Sequence, residues 1–259
     1  MQKNVVRISI IALVFVFCAA TAHAQSSKFA ATYDTDAVMV DVSVDGSAGP
    51  TSGTAVTAEA ELVKLRCANW KELLIGVSSQ VGLVTFTQAK GKNGGGTSTA
   101  IAEGTVRVGV AVVPAGTPNA CADAWADESL FAAPGVVTFA SRRQELSVNV
   151  DLDVVGSLPD VCDEACIADN LDIDGSVTVA LGLDTTAAHH FNFVAADMHS
   201  GWFDVIACYD LSSLAEVAGD TIDADTAAYS KTALGPRMVT VQEVHATKDG
   251  IIDESDSTN

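Results

Sequence analysis

"ELSVNVDLDVV", residues 145–155, decides the fold class. Its apolar residues fall at every second position: Leu146, Val148, Val150, Leu152 and Val154 lie on one face, with Ser147, Asn149, Asp151 and Asp153 on the other. Successive side chains of a strand point to opposite faces, so this run buries one side and wets the other. "RMVTVQEVH" (237–245) repeats the pattern, with Val239 and Val241 opposite Met238, Thr240 and Gln242. Alternation of this kind marks antiparallel sheet with one face on a core.

Working outward, further runs rich in Val, Ile, Thr and Phe recur between Gly, Pro, Asn, Asp and Ser clusters, which is the signature of short strands joined by turns. They are 37–44, 57–67, 72–90, 99–113, 135–144, 176–185, 191–196 and 202–210. "DGSAGPTSG" (45–53), "GKNGGG" (91–96) and "PAGTP" (114–118) are loops. "ACADAWADESLFAA" (120–133) and "LSSLAEVAGD" (211–220) are expected to be helical from their Ala, Leu and Glu content. The expectation is an all-β antiparallel β-sandwich, jelly-roll-like or immunoglobulin-like, with one or two short helices. An immunoglobulin domain wants a Cys…Trp…Cys framework; Cys67 and Trp70 stand too close to supply it, which favours the jelly roll.

The N-terminus carries Lys3 and Arg7, then the apolar run Ile8 to Phe17, then Ala22-His23-Ala24. That order predicts a signal peptide over 1–24, removed on export to the periplasm or the cell exterior. A lipidated Cys18 is the competing reading, disfavoured because bulky Phe17 precedes it. The rest divides into a single β domain over 25–248 and an acidic, disordered tail over 249–259. Cleavage removes two basic residues and no acidic one, leaving 12 Lys and Arg against 33 Asp and Glu, a formal charge of −21. Clustered cations are needed to neutralise phosphate, so nucleic acid is not an expected partner. No further apolar stretch is long enough for a membrane span.

Five cysteines follow residue 24: Cys67, Cys121, Cys162, Cys166 and Cys208. An oxidising compartment favours bridges, and an odd count leaves one thiol over. Spacing does not rank the pairings. Zinc on the Cys162/Cys166 pair lacks a second closely spaced Cys/His pair.

The histidines draw the eye next. His189 and His190 are adjacent and so face opposite sides of a strand, which keeps them from sharing a metal. They and His199, in the turn "DMHSG", are expected to flank a hairpin whose Phe191, Phe193, Phe203, Val205 and Ala207 enter the core. The acidic loop 160–174 is the better ion candidate. Asn170, Asp172, Asp174 and Gly175 match the start of a calcium loop, but Leu181 stands where its bidentate Glu belongs. What remains is a looser calcium site from Asp160, Asp163, Glu164, Asp169, Asp172 and Asp174. "GVSSQVG" (76–82) is not a nucleophile elbow, and no spacing recommends a triad. Paired carboxylates for glycoside hydrolysis are recognised only in space.

"KELLIGVS" (71–78), the Lys/Gly-rich turn, "PGVVTFASR" (134–142) and "FNFV" (191–194) together resemble a group of uncharacterised exported bacterial β-sandwich proteins. These share K-[ED]-L-L-[IV]-G-[VI]-S, then P-G-x-V-x-F-x-x-R, then F-N-F-V. The resemblance spans most of residues 60–210. It implies a single exported β domain and no catalytic activity.

The expected function is therefore a non-enzymatic structural or surface-interaction role, adhesin- or matrix-like, through self-association or a surface glycan or protein. The alternative is a carbohydrate- or small-ligand-binding module, calcium-dependent or not, and the third reading is an undetected hydrolase. No cofactor other than calcium is expected. If the acidic loop binds calcium at ~10 μM, 1 mM calcium stabilises the fold by about 2.7 kcal/mol and raises its melting temperature; an unchanged midpoint removes the site.

Overall fold

The computed structural model describes residues 28–92, 96–149, 176–220 and 222–244. Within them run β1 (Phe29–Asp34), β2 (Val38–Asp45), β3 (Thr51–Cys67), β4 (Lys71–Lys92), β5 (Thr97–Pro114), the helix α1 (Ala120–Ala126), β6 (Val137–Asn149), β7 (Ser176–Met198), β8 (Gly201–Gly219) and β9 (Ala227–Val244). All pairing is antiparallel. One sheet has the order β1–β9–β4–β7, with β2 also on β9; the other has the order β3–β8–β5–β6.

β1 pairs with Arg237–Gln242 and β2 with Ala227–Leu234, so the two lie end to end along β9 as one broken edge strand. Counting them as one, the first strand pairs with the last, β3 with β8, β4 with β7 and β5 with β6. That nesting is a long antiparallel hairpin rolled into two sheets, a jelly roll. An immunoglobulin sandwich keeps several chain neighbours in one sheet. Here, from β2 onward, only the β5–β6 connection stays within a sheet.

The alternation expected of 145–155 holds as far as Asn149: Val148 is buried and Leu146 partly so, with Ser147 and Asn149 exposed. The continuation through Val154 lies outside the described residues. Three expectations are corrected. The runs 135–144 and 145–155 meet in one strand, β6 (Val137–Asn149), and 176–185 and 191–196 in another, β7, which places His189 and His190 mid-strand instead of beside a hairpin turn. Residues 211–219 are not helical but the second half of β8. Pairing on both sides, to β3 and β5, together with burial of Leu211, Ser213, Ala215 and Val217 towards the other sheet, overrides their helix propensity. Phe191 is not in the core but 36% exposed, while Phe193, Val205 and Ala207 are fully buried.

The core changes character along the strands. Around Leu73, Ile75, Val77, Phe193, Val205 and Val239 it is aliphatic and aromatic. Towards the other end hydroxyls replace it. Ser230 Oγ donates to Glu103 O at 2.6 Å, Thr232 Oγ1 to Ser212 O at 2.8 Å, and Ser213 Oγ to Val40 O at 3.2 Å, each crossing between sheets. Short side chains let the sheets approach here. A Cβ on Gly104 would stand 2.7 Å from Thr232 Oγ1. Each hydroxyl replaces hydration lost on burial, without which burying it would cost free energy.

β9 gains one residue on β4 between the pairs Ser79↔Arg237 and Val81↔Leu234. The bulge falls at Gly235–Pro236, where a missing N–H costs the ladder nothing. It turns Arg237 inward, 4% exposed, onto the Asp34 carboxylate, onto Asp36 O at 2.9 Å, and within 3.6 Å of Glu61 Oε2. Glu61 Oε1 also accepts from Thr32 Oγ1 at 2.6 Å. One guanidinium thus ties β1, the β1–β2 link and β3 to β9. Beneath it Tyr209 is buried, and desolvation holds its phenol protonated well above the usual tyrosine range.

Arg237→Ala leaves Asp34 and Glu61 without their cation, and a loss of about 3–5 kcal/mol is expected in urea unfolding. A loss below about 1 kcal/mol would show that the network does not hold β1.

Candidate functional site

Among the described residues no three His, Cys, Asp or Glu side chains converge as metal ligands. Asp160, Asp163, Glu164, Asp169, Asp172 and Asp174 lie outside the described residues, as do Cys162 and Cys166. Cys121 and Cys208 form a disulfide across 87 residues of sequence. Cys67 is buried and unbonded, and burial pushes its thiol up from the ordinary cysteine range.

His189 and His190 face opposite sides of β7, as their adjacency required, and His199 stands apart in the turn that follows. His189 faces inward beside Phe139, with ring centroids 5.9 Å apart. His199, in the β7–β8 turn, meets the edge of Trp70 at 5.9 Å. His190 points outward; its Nδ1 shares a hydrogen bond with Ser78 Oγ at 2.7 Å and its Nε2 lies 3.1 Å from Asn192 Oδ1.

The two outer faces of the sandwich differ. That of the β3–β8–β5–β6 sheet is partly closed. The disulfide pins α1 to β8, Ala120, Ala124 and Phe131 pack on Ala111 and Ile206, and the Phe131 ring covers Gly109. Arg107 lies 5.0 Å from the Trp125 ring centre and gives two hydrogen bonds to Asp210, at 3.0 and 2.6 Å.

On the β1–β2–β9–β4–β7 sheet no described helix covers the outer face. Its register sets Phe29, Gln242, Leu74 and Val194 in one row, then Ala31, Thr240, Gly76 and Asn192, then Tyr33, Met238, Ser78 and His190. Gln80 and Ala188 follow, then Met39, Ala233, Gly82 and Thr186. No row contains an acid or a fixed cation. In a chain with 33 carboxylates, an uncharged field roughly 25 Å long and four strands wide is an exception. Large apolar side chains stand exposed on it among neutral polar ones, Phe29 and Tyr33 at 64% and 65% and Met39 at 55%. Gly76 lies at its centre, where a Cβ would meet Thr240 Oγ1 at 2.7 Å and His190 Cε1 at 3.0 Å.

Sequence reasoning missed this surface. "FAATYD" has too few strand-forming residues to announce β1, and the alternation of Phe29, Ala31 and Tyr33 gains meaning only beside β9. An open depression of about 400 Å³ between Pro50–Ser52 and Glu216–Ala218 brings a single ionisable group, Glu216; it offers nothing comparable.

No protein-family model matches the chain, and no curated protein does. Among solved structures, a chain from "Structure of infectious bursal disease virus Gx strain" aligns at 11% identity with a TM-score of 0.19, over 86% of this chain and 43% of that one. This chain thus spans less than half the length of that one, and a likeness so slight carries no argument. No described helix is long and apolar enough to cross a membrane.

Gly76→Val is expected to push Thr240 and His190 aside and cost about 1–3 kcal/mol. It should also shift the ring-nitrogen resonances of His190 in the NMR spectrum. An unchanged spectrum would mean that the ring is not held by Ser78 and Asn192.

Proposed function

We propose that this is an exported, non-enzymatic protein with a structural or surface-interaction role, adhesin- or matrix-like. The observation that carries the reading is the uncharged outer face with Phe29, Tyr33, Met39 and Met238 in solvent. Contiguous apolar surface on a soluble domain marks a contact site. Strong net charge elsewhere keeps the chain soluble and steers contacts to the one field that does not repel. The Cys121–Cys208 bond supports an oxidising destination.

The test follows the native protein between the cell-associated and free fractions of a culture. Phe29→Ser with Tyr33→Ser should shift it to the free fraction without lowering its melting temperature, because both side chains are exposed. An unchanged distribution of the folded variant overturns the reading.

One observation favours carbohydrate binding as a second reading. Phe29 and Tyr33 stand beside Thr240, with Asn192 and His190 two strands further on, which pairs apolar platforms with hydrogen-bonding groups. Binding on a glycan array that is lost in the same double variant would replace the first reading with this one. Dependence on calcium would then point to the carboxylates of 160–174.

A further inference from the structure

The β1–β2–β9–β4–β7 sheet is wider than the sheet it faces. The inward side of β4 is sealed, with Thr85, Thr87 and Ala89 at 0% exposure. Their cross-strand partners on β7, Leu183, Leu181 and Val179, remain 39–44% exposed, and Val177 reaches 47%. Four apolar side chains of core-facing parity therefore stand in solvent in one row. No described strand covers the backbone edge beside residues 176–186. Among the described residues β7 pairs along its length only with β4, and Ala133 closes its outer edge only at Val194.

The other sheet edges carry the usual protections. β3 has Glu59, Glu61, Lys64 and Arg66; β6 has Arg142, Arg143 and Glu145; β1 and β2 carry Asp34, Asp41 and Asp45 and are interrupted at 35–37. Residues 176–186, "SVTVALGLDTT", hold a single charge, Asp184. A long edge of Val, Leu and Thr without Lys, Pro or a bulge is a template for another strand.

We propose that two copies of this chain associate through β7, each adding residues 176–184 antiparallel to the other about a two-fold axis at Ala180. The inference goes beyond the surface-interaction reading, which concerns the outer face of the sheet, and names a second copy as the partner of the β7 edge. A two-fold contact must be complementary to itself, and this stretch is. The register sets Val177 opposite Leu183 of the second copy and Val179 opposite its Leu181, so apolar pairs meet on one face. Thr178 meets Gly182, and Asp184 meets Ser176. Two copies of so acidic a chain repel through most of their surfaces. Here the two Asp184 side chains stand eight residues apart along the strands, roughly 27 Å and well beyond a Debye length of about 10 Å. The joined sheet runs unbroken from β9 of one copy to β9 of the other.

Sedimentation velocity on the full chain, over a concentration series, tests the contact. The native chain is expected to show a concentration-dependent dimer, and Val179→Lys with Leu181→Lys to weaken it about tenfold or more, ~1.4 kcal/mol per factor of ten. Both positions are exposed, so the variant keeps its fold and its circular dichroism. Ala180→Cys should give a disulfide-linked dimer on mild oxidation, because a self-opposed pair has its Cα atoms about 4.5–5.5 Å apart; Ser176→Cys should not. A dimer indifferent to the lysines overturns this inference and leaves the surface-interaction reading standing on another face. A monomer at every concentration overturns it too, and protection of the 177–183 amides from exchange would then show that the chain's own residues cover the edge. Retention of the monomeric lysine variant on cells would separate the two readings.

Discussion

β9 must serve three neighbours at once, and the extra residue at Gly235–Pro236 is what lets it. Before the bulge Ala228, Ser230, Thr232 and Leu234 face the core; after it Arg237, Val239 and Val241 do. Without the insertion one half of β9 would present its apolar set to water, since a one-residue slip exchanges the two faces of a strand. The same step aims Arg237 at Asp34, Asp36 O and Glu61, so the break in the edge strand and the change of parity are held at one point. A charge buried this deeply is tolerable only because two carboxylates surround it and both terminal nitrogens of the guanidinium are hydrogen-bonded, to Asp36 O and to Asp34.

Around that point the sandwich divides. The half beyond Arg237 is filled with large apolar side chains and holds the sheets apart; the half before it uses Ala, Ser, Thr and Gly and brings backbone and hydroxyl within hydrogen-bond distance across the layer. Gln144 reaches across the same layer to Thr85, Thr87 and the carbonyl of Leu181. Its amide holds β6 against the β4–β7 pair while leaving the apolar row of β7 uncovered. Packing order and exposed surface thus follow from one choice of side-chain size.

The outward face follows a different logic. Charged residues crowd the edges and loops, whereas five consecutive rows of the β1–β2–β9–β4–β7 sheet carry none. On the opposite sheet the equivalent region is covered by α1 and the Phe131 segment, fastened by Cys121–Cys208. Among the described residues, one sheet face is closed by the chain itself and the other is not. That asymmetry gives the surface-interaction reading its physical content.

Alternation alone determined the class of this fold. Val148 against Ser147, and Val239 against Met238, require a sheet with one buried face, and the adjacency of His189 and His190 required that they diverge. These are properties of neighbours in the chain, which a sequence states directly. The tertiary structure decided the rest. Leu211–Gly219 became strand because β3 and β5 flank it, and a local propensity of a few tenths of a kcal/mol per residue yields to two ladders of hydrogen bonds. Cys121 found Cys208 because α1 lies on β8, which no spacing encodes. Phe29, Tyr33, Met39 and Met238 form one surface only because β1 and β2 lie in register on β9, which is distant in sequence. Val177 to Leu183 have the parity of core residues, and only the width of the facing sheet leaves them in water.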